Sequence, residues 1–476
     1  MKKRLFIKSC LVASVALFAA SCSDDTTLGS VDDAGRLDVP EGAVVYVTDA
    51  AGSRGSSKVE FHNAETNTLH VKTGVALPAD CKVTFAYNAD ALTAYNTANG
   101  TDYALLPQSM VAFANDGVVT LPAGQTAVGA EYTLTSDGSL DPETTYALPL
   151  SVTIEGAAAL GEADKNFVVL VRDLSTYGDC HKTWVDDNGV EHEGIKIFSV
   201  MEINDTNPLN NLRYTLKNSG KYMVDALVMF SGNINYNAET GRVYFYPNEN
   251  ISAILNNREK YLKPLKDRGM KVIMGVMCNH DRACISNLAP ETAKLFAKEL
   301  KALCDAYDLD GIFWDDEYCS PITPPPPGFE QRSRQAWSRL AYEVWKLQPE
   351  RWNIAYGYSM TGSAVAVDGV QPGTFISYCL PDYSSYYNDG WLDSYPGMTI
   401  SQLGGASMEF NQGRWAASEN TLRQGRNAGY GAHMVFAMDP YRTNASGQDQ
   451  AMDKLARAFY DDEVVVDPTT YPKDWK

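Results

Sequence analysis

Basic residues are scarce in this 476-residue chain: 40 Lys and Arg stand against 59 Asp and Glu, for a formal charge of −19. A body this acidic repels phosphate backbones, which argues against nucleic acid as a partner and gives no electrostatic reason to dock on anionic lipid. Cysteine is scarce too, with nine in all. Beyond Cys22 seven remain, at Cys81, Cys180, Cys278, Cys284, Cys304, Cys319 and Cys379. An odd number scattered through apolar stretches excludes a disulfide framework at short regular spacing and reads as buried small hydrophobes. The only close pair with a His between, Cys278 and Cys284 around His280, has no second pair at zinc-like spacing, so neither a metal site nor a cofactor is expected. Long apolar runs are lacking as well, since the run from Cys10 to Ala20 is too short to span a bilayer.

That run follows Met1, Lys2, Lys3 and Arg4 and ends in Ser21-Cys22-Ser23-Asp24-Asp25, the pattern of an export signal. A cysteine directly after a small residue resembles the bacterial lipoprotein cleavage site, although Ala19 stands where Leu is commonest. The resemblance implies a signal peptide over 1–21, a lipid anchor on Cys22 and an acidic tether over 22–35. The Ser-Asp-Asp that follows looks like the surface-export signal of glycan-harvesting lipoproteins in Gram-negative bacteria. It implies an outer-membrane protein exposed at the cell surface beside other glycan-uptake proteins, held by its acyl chains alone.

At roughly 150 residues per domain the remaining chain allows two or three domains. Short alternating runs fill 36–175, among them Lys82 to Tyr87, Gly117 to Leu121, Glu131 to Leu134 and Phe167 to Val171. They are separated by turn-rich segments such as Pro122-Ala123-Gly124-Gln125, the pattern of an antiparallel β-sandwich. The stretch Tyr95 to Tyr103, followed by Leu105-Leu106-Pro107, resembles the immunoglobulin-like N-terminal domain of surface glycan-utilisation lipoproteins. Nothing in this half looks catalytic. After a linker over 176–194 the character changes to strands alternating with helical stretches over 195–466, and a C-terminal tail follows over 467–476.

Strands are expected at Ile195 to Ile203, Tyr222 to Phe230, Lys271 to Cys278, Leu309 to Asp315, Trp352 to Gly357, Phe375 to Leu380, around Ala406 to Phe410, and at Ala432 to Met438. Eight is the number a (β/α)8 TIM barrel requires, and in such a barrel the chemistry sits at the C-terminal ends of the strands. Helical patterns cover Asn250 to Arg268, Pro290 to Ala306, Phe329 to Leu347, Glu419 to Asn427 and Asp449 to Tyr460.

The fourth strand ends Phe313-Trp314-Asp315-Asp316-Glu317-Tyr318. Strand side chains alternate, so Phe313, Asp315 and Glu317 share one face and Ile312, Trp314 and Asp316 the other. With the odd set inward, two carboxylates lie side by side, and one should hold its proton near neutral pH. A protonated carboxyl beside a charged one is what glycosidic cleavage needs.

Those residues, with Phe198 to Asn204, Phe230 to Tyr236, Gly275 to His280, and Gly429 to Ala432 with Asp439 and Arg442, resemble the family 18 glycoside hydrolases of the endo-β-N-acetylglucosaminidase H-like branch, over about 270 residues in matching order. The resemblance implies retaining, substrate-assisted hydrolysis of the GlcNAc-β-1,4-GlcNAc bond in the chitobiose core of N-linked, high-mannose glycans. Glu317 would be the general acid and base, and Asp315 would hold the acetamide N–H. Tyr383, Tyr378, Asn279, His280, Asn233, Glu202 and Asp439 would contact the sugar.

Two departures stand out. Phe313 occupies the place of a third, deeper Asp, which should desolvate Asp315 and raise its pKa. Pro381 replaces the amide that relatives carry two residues before Tyr383. These departures favour the alternative of a weak or inactive glycan-binding protein with a glycosidase fold. A chitinase-like hydrolase is the other alternative, although chitinases usually carry Trp where Asp316 stands. The ring-rich loop Tyr383 to Trp391 offers surfaces for stacking on sugar faces.

Overall fold

The computed structural model describes residues 43–476 apart from Ala157, Trp415, Ala416 and Thr443. The signal peptide, Cys22 and the whole of the 22–35 tether lie outside the described residues. Among those described, no helix is long and apolar enough to cross a membrane. The chain divides after Asp173 into two compact units.

The first unit is built from two sheets, and the expected runs are its strands: Cys81–Tyr87, Val118–Leu121, Ala127–Thr135 and Asn166–Asp173. One sheet orders Ala158–Leu160, Ala43–Thr48, Ala64–Thr73, Ala127–Thr135 and Val111–Phe113. The other runs Ser56–Phe61, Asn166–Asp173, Tyr146–Gly156, Cys81–Tyr87 and Val118–Leu121. Alternate residues such as Val45, Val47, Val83, Phe85, Leu148, Leu150, Val169 and Val171 are buried in one cluster. The pairing is not purely antiparallel, because Ser56–Phe61 lies parallel to Asn166–Asp173 and Ala43–Val45 parallel to Ala158–Leu160. The segment from Tyr95 ends a helix, Ala89–Asn99, capped by the Asn88 side chain and closed by left-handed Gly100.

The second unit holds a barrel-like sheet of eight parallel strands: β1 Lys196–Glu202, β2 Ala226–Asn237, β3 Lys271–Cys278, β4 Gly311–Asp315, β5 Trp352–Gly357, β6 Tyr378–Pro381, β7 Gly404–Glu409 and β8 Ala432–Phe436. Their order is β6-β5-β4-β3-β2-β1-β8-β7, and a parallel bridge from Cys379 to Leu403 joins the two ends. Strands buried on both faces read as near-continuous apolar runs, which is why Lys271–Cys278 shows little alternation in composition. The alternation lies in destination. Phe198, Val200, Ile273, Phe313, Ile354, Leu380 and Met434 form an inner cluster, whereas Ile197, Met201, Val272, Met274, Ile312, Trp314 and Val435 join a separate, larger one.

Helices Pro290–Tyr307 and Glu419–Asn427 fall where their apolar spacing put them, Arg334–Leu347 starts after the expected Phe329 and Ala445–Tyr460 before the expected Asp449, and the stretch before β3 breaks into Glu249–Asn256, Arg258–Tyr261 and Lys263–Lys266. β2 begins at Ala226 rather than Tyr222 and runs on to Asn237, pairing with an unanticipated strand at Arg242–Tyr246.

Two segments read as connectors are structured parts of this unit. The stretch 176–194 forms a hairpin, Thr183–Val185 with Glu191–Glu193, and its Lys182 is buried against Asp225 at 2.9 Å. Such a pair must leave water together, and the lysine also donates to the carbonyls of Cys180 and Tyr222. The tail 467–476 is tied down as well. Asn207 and Asn210 donate to the carbonyls of Pro472 and Tyr471, and Trp475 packs on Tyr261 with ring centroids 5.2 Å apart.

Candidate active site

At the C-terminal end of the parallel sheet lies a cavity of about 530 Å³. Its wall is what the alternation predicts for the last inward positions of successive strands: Val200 and Glu202 from β1, Met277 from β3, Phe313 and then Glu317 from β4, Tyr356 from β5, Asp382 after β6, and Met434 and Phe436 from β8. β2 contributes two consecutive residues, Phe230 and Ser231, because its register against β3 shifts between Met229 and Gly232. A cis peptide joins that pair.

Asp315 is the last residue of β4 and only 2% exposed. It does not reach the wall itself; it lies one inward step below Glu317, beside the Phe313 ring. Its Oδ1 has no hydrogen-bond partner among the described residues. Burial holds its carboxyl well above the usual range, the negative charges of Glu317 and Asp316 add to the shift, and the backbone N–H of Glu317 works against it. Glu317 is half-buried, and burial followed by the charge of Asp382 raises it as well. The repulsion between the two carboxyls falls on Asp315, the drier one, so the proton they share rests there in the free site. Phe313 sits as expected from its replacement of an acid. It is buried with its ring 6.5 Å from Phe230 and 6.0 Å from Tyr356, an apolar floor that withholds water from Asp315.

Asp316 points the opposite way and is fully partnered. It accepts from Ser286 at 2.8 Å, from Arg332 at 2.5 Å and from Ser359 and the Met360 N–H at 3.3 Å each. Burial lifts it to about 6, the Cys319 thiol adding and Arg332 opposing.

The remaining sequence candidates separate. Tyr383 lines the cavity with its ring 5.9 Å from Phe436, and Glu202 lines it while bonded to Arg442 at 3.3 Å. Burial and then Asp205 raise Glu202, with Arg442 in opposition. Asn279 and His280 lie exposed after β3, where Asn279 bonds Asn235 and the His280 N–H donates to the Tyr318 carbonyl. Both are outside the wall of this cavity. Asn233 is buried within β2 and donates to the Met277 carbonyl at 3.4 Å, so it braces β2 against β3. Asp439 is buried after β8, accepting from the Tyr441 N–H and lying 3.7 Å from Arg442, and so helps hold the arginine that faces Glu202.

Tyr378 is a correction. It opens β6 and packs on Phe198 and Trp352 at 5.1 Å each, four strand steps or roughly 13 Å before Asp382. Its neighbours line a larger cavity of about 800 Å³ at the N-terminal ends of the strands, with Lys196, Gly431, Arg423, Arg426 and Asp461. There Asp461 is paired, with Arg426 at 2.5 Å and with Arg423.

The ring-rich loop after β6 is a second correction. Tyr387 fills a slot in which a Cβ on Gly405 or Gly425 would collide with its ring, and Trp391 packs over Gly357. Of the loop's rings, Tyr383 faces the cavity and Tyr386 stands open to solvent at 62% exposure.

Tyr356 and Asp382 were not singled out from the sequence. The Tyr356 hydroxyl donates to Asp382, and both face the cavity. Extending the odd–even count used for β4 to Ile354-Ala355-Tyr356 and Leu380-Pro381-Asp382 would have found them.

Comparison with known proteins follows the same division. A family model described as an N-terminal domain matches residues 40–158. An endo-β-N-acetylglucosaminidase F1 from Elizabethkingia meningoseptica is 50% identical over 289 residues, covering 60% of this chain and 84% of that protein. Two crystal structures of EndoBT-3987 from Bacteroides thetaiotamicron match 90% of this chain and 98% of theirs. The complex with Man5GlcNAc product is 32% identical with a TM-score of 0.57, and the complex with Man9GlcNAc2Asn substrate is 30% identical with a TM-score of 0.56.

Proposed function

This chain belongs to the endo-β-N-acetylglucosaminidase family of glycoside hydrolases, and from that premise we propose that Glu317 and Asp315 cut the chitobiose core of N-linked glycans by substrate-assisted catalysis. The enzyme acts on N-glycans, as its relatives do. The preference for high-mannose chains is supported by the Man9GlcNAc2Asn and Man5GlcNAc bound to the EndoBT-3987 relative. The closed order of eight parallel strands, with the reactive groups at their C-terminal ends, supports reading the sheet as a (β/α)8 barrel.

The observation that carries the mechanism is the unpartnered, buried Asp315 Oδ1 one inward step from Glu317. An acetamide N–H is the donor that atom lacks, and its arrival favours the ionised form of Asp315. The displaced proton moves to Glu317, which faces the cavity and delivers it to the departing glycosidic oxygen. The acetamide carbonyl oxygen attacks the anomeric carbon as that bond breaks, giving an oxazoline-type intermediate. Glu317, now a carboxylate, takes a proton from water as the water oxygen bonds the anomeric carbon and reopens the ring, with net retention.

A mobility-shift assay on a high-mannose glycoprotein tests the assignment. Release should fall roughly 10²- to 10⁴-fold in Glu317→Gln with glycan binding kept. Undiminished release by that variant would remove Glu317 from the role. An acyl anchor on Cys22 in the outer membrane, surface-exposed and beside other glycan-uptake proteins, is the placement we propose. Radiolabelled fatty acid should enter the wild-type protein and not Cys22→Ala.

A further inference from the structure

Three thiols meet directly behind the catalytic strand end. Cys278 closes β3 on the side away from the cavity, Cys284 lies in the loop that follows, and Cys319 comes two residues after Glu317. Their sulfurs all lie within 4.8 Å of one another, and Cys319 and Cys278 approach to 3.2 Å. Asp316 Oδ1 sits 3.3 Å from the Cys319 sulfur and 3.9 Å from that of Cys278. Cys278 and Cys284 are wholly buried, while Cys319 is partly open to solvent.

These distances bracket the edges of a coordination cage. With zinc–sulfur bonds of about 2.3 Å and a zinc–oxygen bond of about 2.0 Å, a tetrahedral site has sulfur–sulfur edges of about 3.8 Å and sulfur–oxygen edges of about 3.5 Å. The other described cysteines, Cys81, Cys180, Cys304 and Cys379, belong to no such group. As packing units, three thiols facing one another gain little, because S–H is a weak donor and a weak acceptor.

We propose that Cys278, Cys284 and Cys319 bind a zinc ion as thiolates. Asp316 Oδ1, next to two of the three sulfurs, is the protein oxygen placed to take the fourth position. Binding releases three thiol protons to solvent and leaves a site of net negative charge, which Arg332, 2.5 Å from the other oxygen of Asp316, offsets. The ion would clasp two loops that backbone bonds already lace, His280 N–H to the Tyr318 carbonyl and Ser320 N–H to the Asp281 carbonyl. Glu317 lies inside that clasp, so the site is structural and holds the acid in place without touching the sugar. The spacing of Cys278 and Cys284 alone excluded this, because Cys319 is 35 residues further on and joins only through the β3–β4 pairing.

The test uses the full chain purified without a metal-binding tag from zinc-containing medium. Elemental analysis should give about one zinc per chain, lost in Cys284→Ser and Cys319→Ser but kept in Cys81→Ser. After stripping, added Co²⁺ should give thiolate charge-transfer absorption and intense tetrahedral visible bands in the wild-type protein. That second reading does not depend on how the variants fold. Chelation should lower the melting temperature of wild type and leave that of Cys319→Ser unmoved. Zinc-free protein with titratable thiols and no cobalt spectrum would overturn the proposal, as would a Cys278–Cys319 disulfide in the native protein.

Discussion

Asp315 and Asp316 are chain neighbours, each 2% exposed, and they live in opposite worlds. The inward carboxylate has an oxygen with no partner and a floor of aromatic rings, whereas the outward one is held by Ser286, Arg332, Ser359 and the Met360 backbone. Burial alone therefore distinguishes nothing on β4. What separates chemistry from scaffold is whether the cost of burial has been met by partners or left open toward a cavity.

The sharpest way to break that contrast is to neutralise each carboxylate in turn. Asp315→Asn should lower kcat by about 10²-fold or more, the scale of losing one oriented charged contact in the transition state, while leaving urea stability equal or higher. The Asp315 Oδ1 is desolvated and unpaired, and the amide oxygen of Asn can still accept from the Glu317 N–H, so the fold does not depend on the charge. Asp316→Ala should do the reverse, costing on the order of 2 kcal/mol because Ser286 and the Met360 N–H lose a buried acceptor and Arg332 loses its counter-charge. Equal stability losses in the two variants would show that the faces are not divided in this way.

The contrast also predicts a pH profile. Cleavage needs one proton on the Asp315–Glu317 pair, and both carboxyls are raised, so kcat/KM should decline only as pH climbs far enough to remove that shared proton. At low pH a second proton fills Glu317 too, so Asp315 has nowhere to pass its own and cannot ionise to hold the acetamide N–H, and activity falls again. The result is a bell, and Asp315→Asn should erase its acidic limb. A profile flat on the acid side in wild type would separate Asp315 from the reaction.

His433 is the hard case for the rule. It lies on β8 facing away from the inner cluster, wholly buried, and neither ring nitrogen has a partner among the described residues. A neutral imidazole tolerates this where a carboxylate would not, and burial pushes its pKa down from 6.5 to about 3. The unfolded chain binds the proton near pH 6.5 and the folded one does not, so stability is present above 6.5 and drains away as pH falls toward 3, at up to about 1.4 kcal/mol per pH unit. Urea midpoints from pH 7 to 5 should show that slope in wild type and a shallower one in His433→Leu, with no change in kcat at pH 7.

What could be read from the chain follows the range of the interactions. Parallel strands such as Lys271–Cys278 announce themselves by apolar density, and the β4 pair follows from a period of two, so both were legible locally. Tyr378 came from resemblance alone, without regard to strand direction, and as the first residue of β6 it lies at the far end of the sheet from the cavity. Lys182 and Asp225 are 43 positions apart, so the 176–194 hairpin looked like a linker. Cys319 meets Cys278 only after β3 and β4 have paired, and no spacing rule for a single segment can find that.

Tyr356 gives the finest test, because it acts on the inward face through a neighbour. Its hydroxyl donates to Asp382, and Asp382 is the charge that helps hold Glu317 up. Without that donor, in Tyr356→Phe, the Asp382 charge is less spread and presses harder on Glu317, so the alkaline limb of the activity profile should move to higher pH by a few tenths of a unit. The same substitution removes one neutral donor and no atom of the Asp315–Glu317 pair, so kcat at the optimum should drop only a few-fold. A shift to lower pH would mean that Asp382 does not press on Glu317 and that Tyr356 is seated against the substrate instead. The direction of this small displacement reports which residues on the cavity wall tune the acid and which ones touch the sugar.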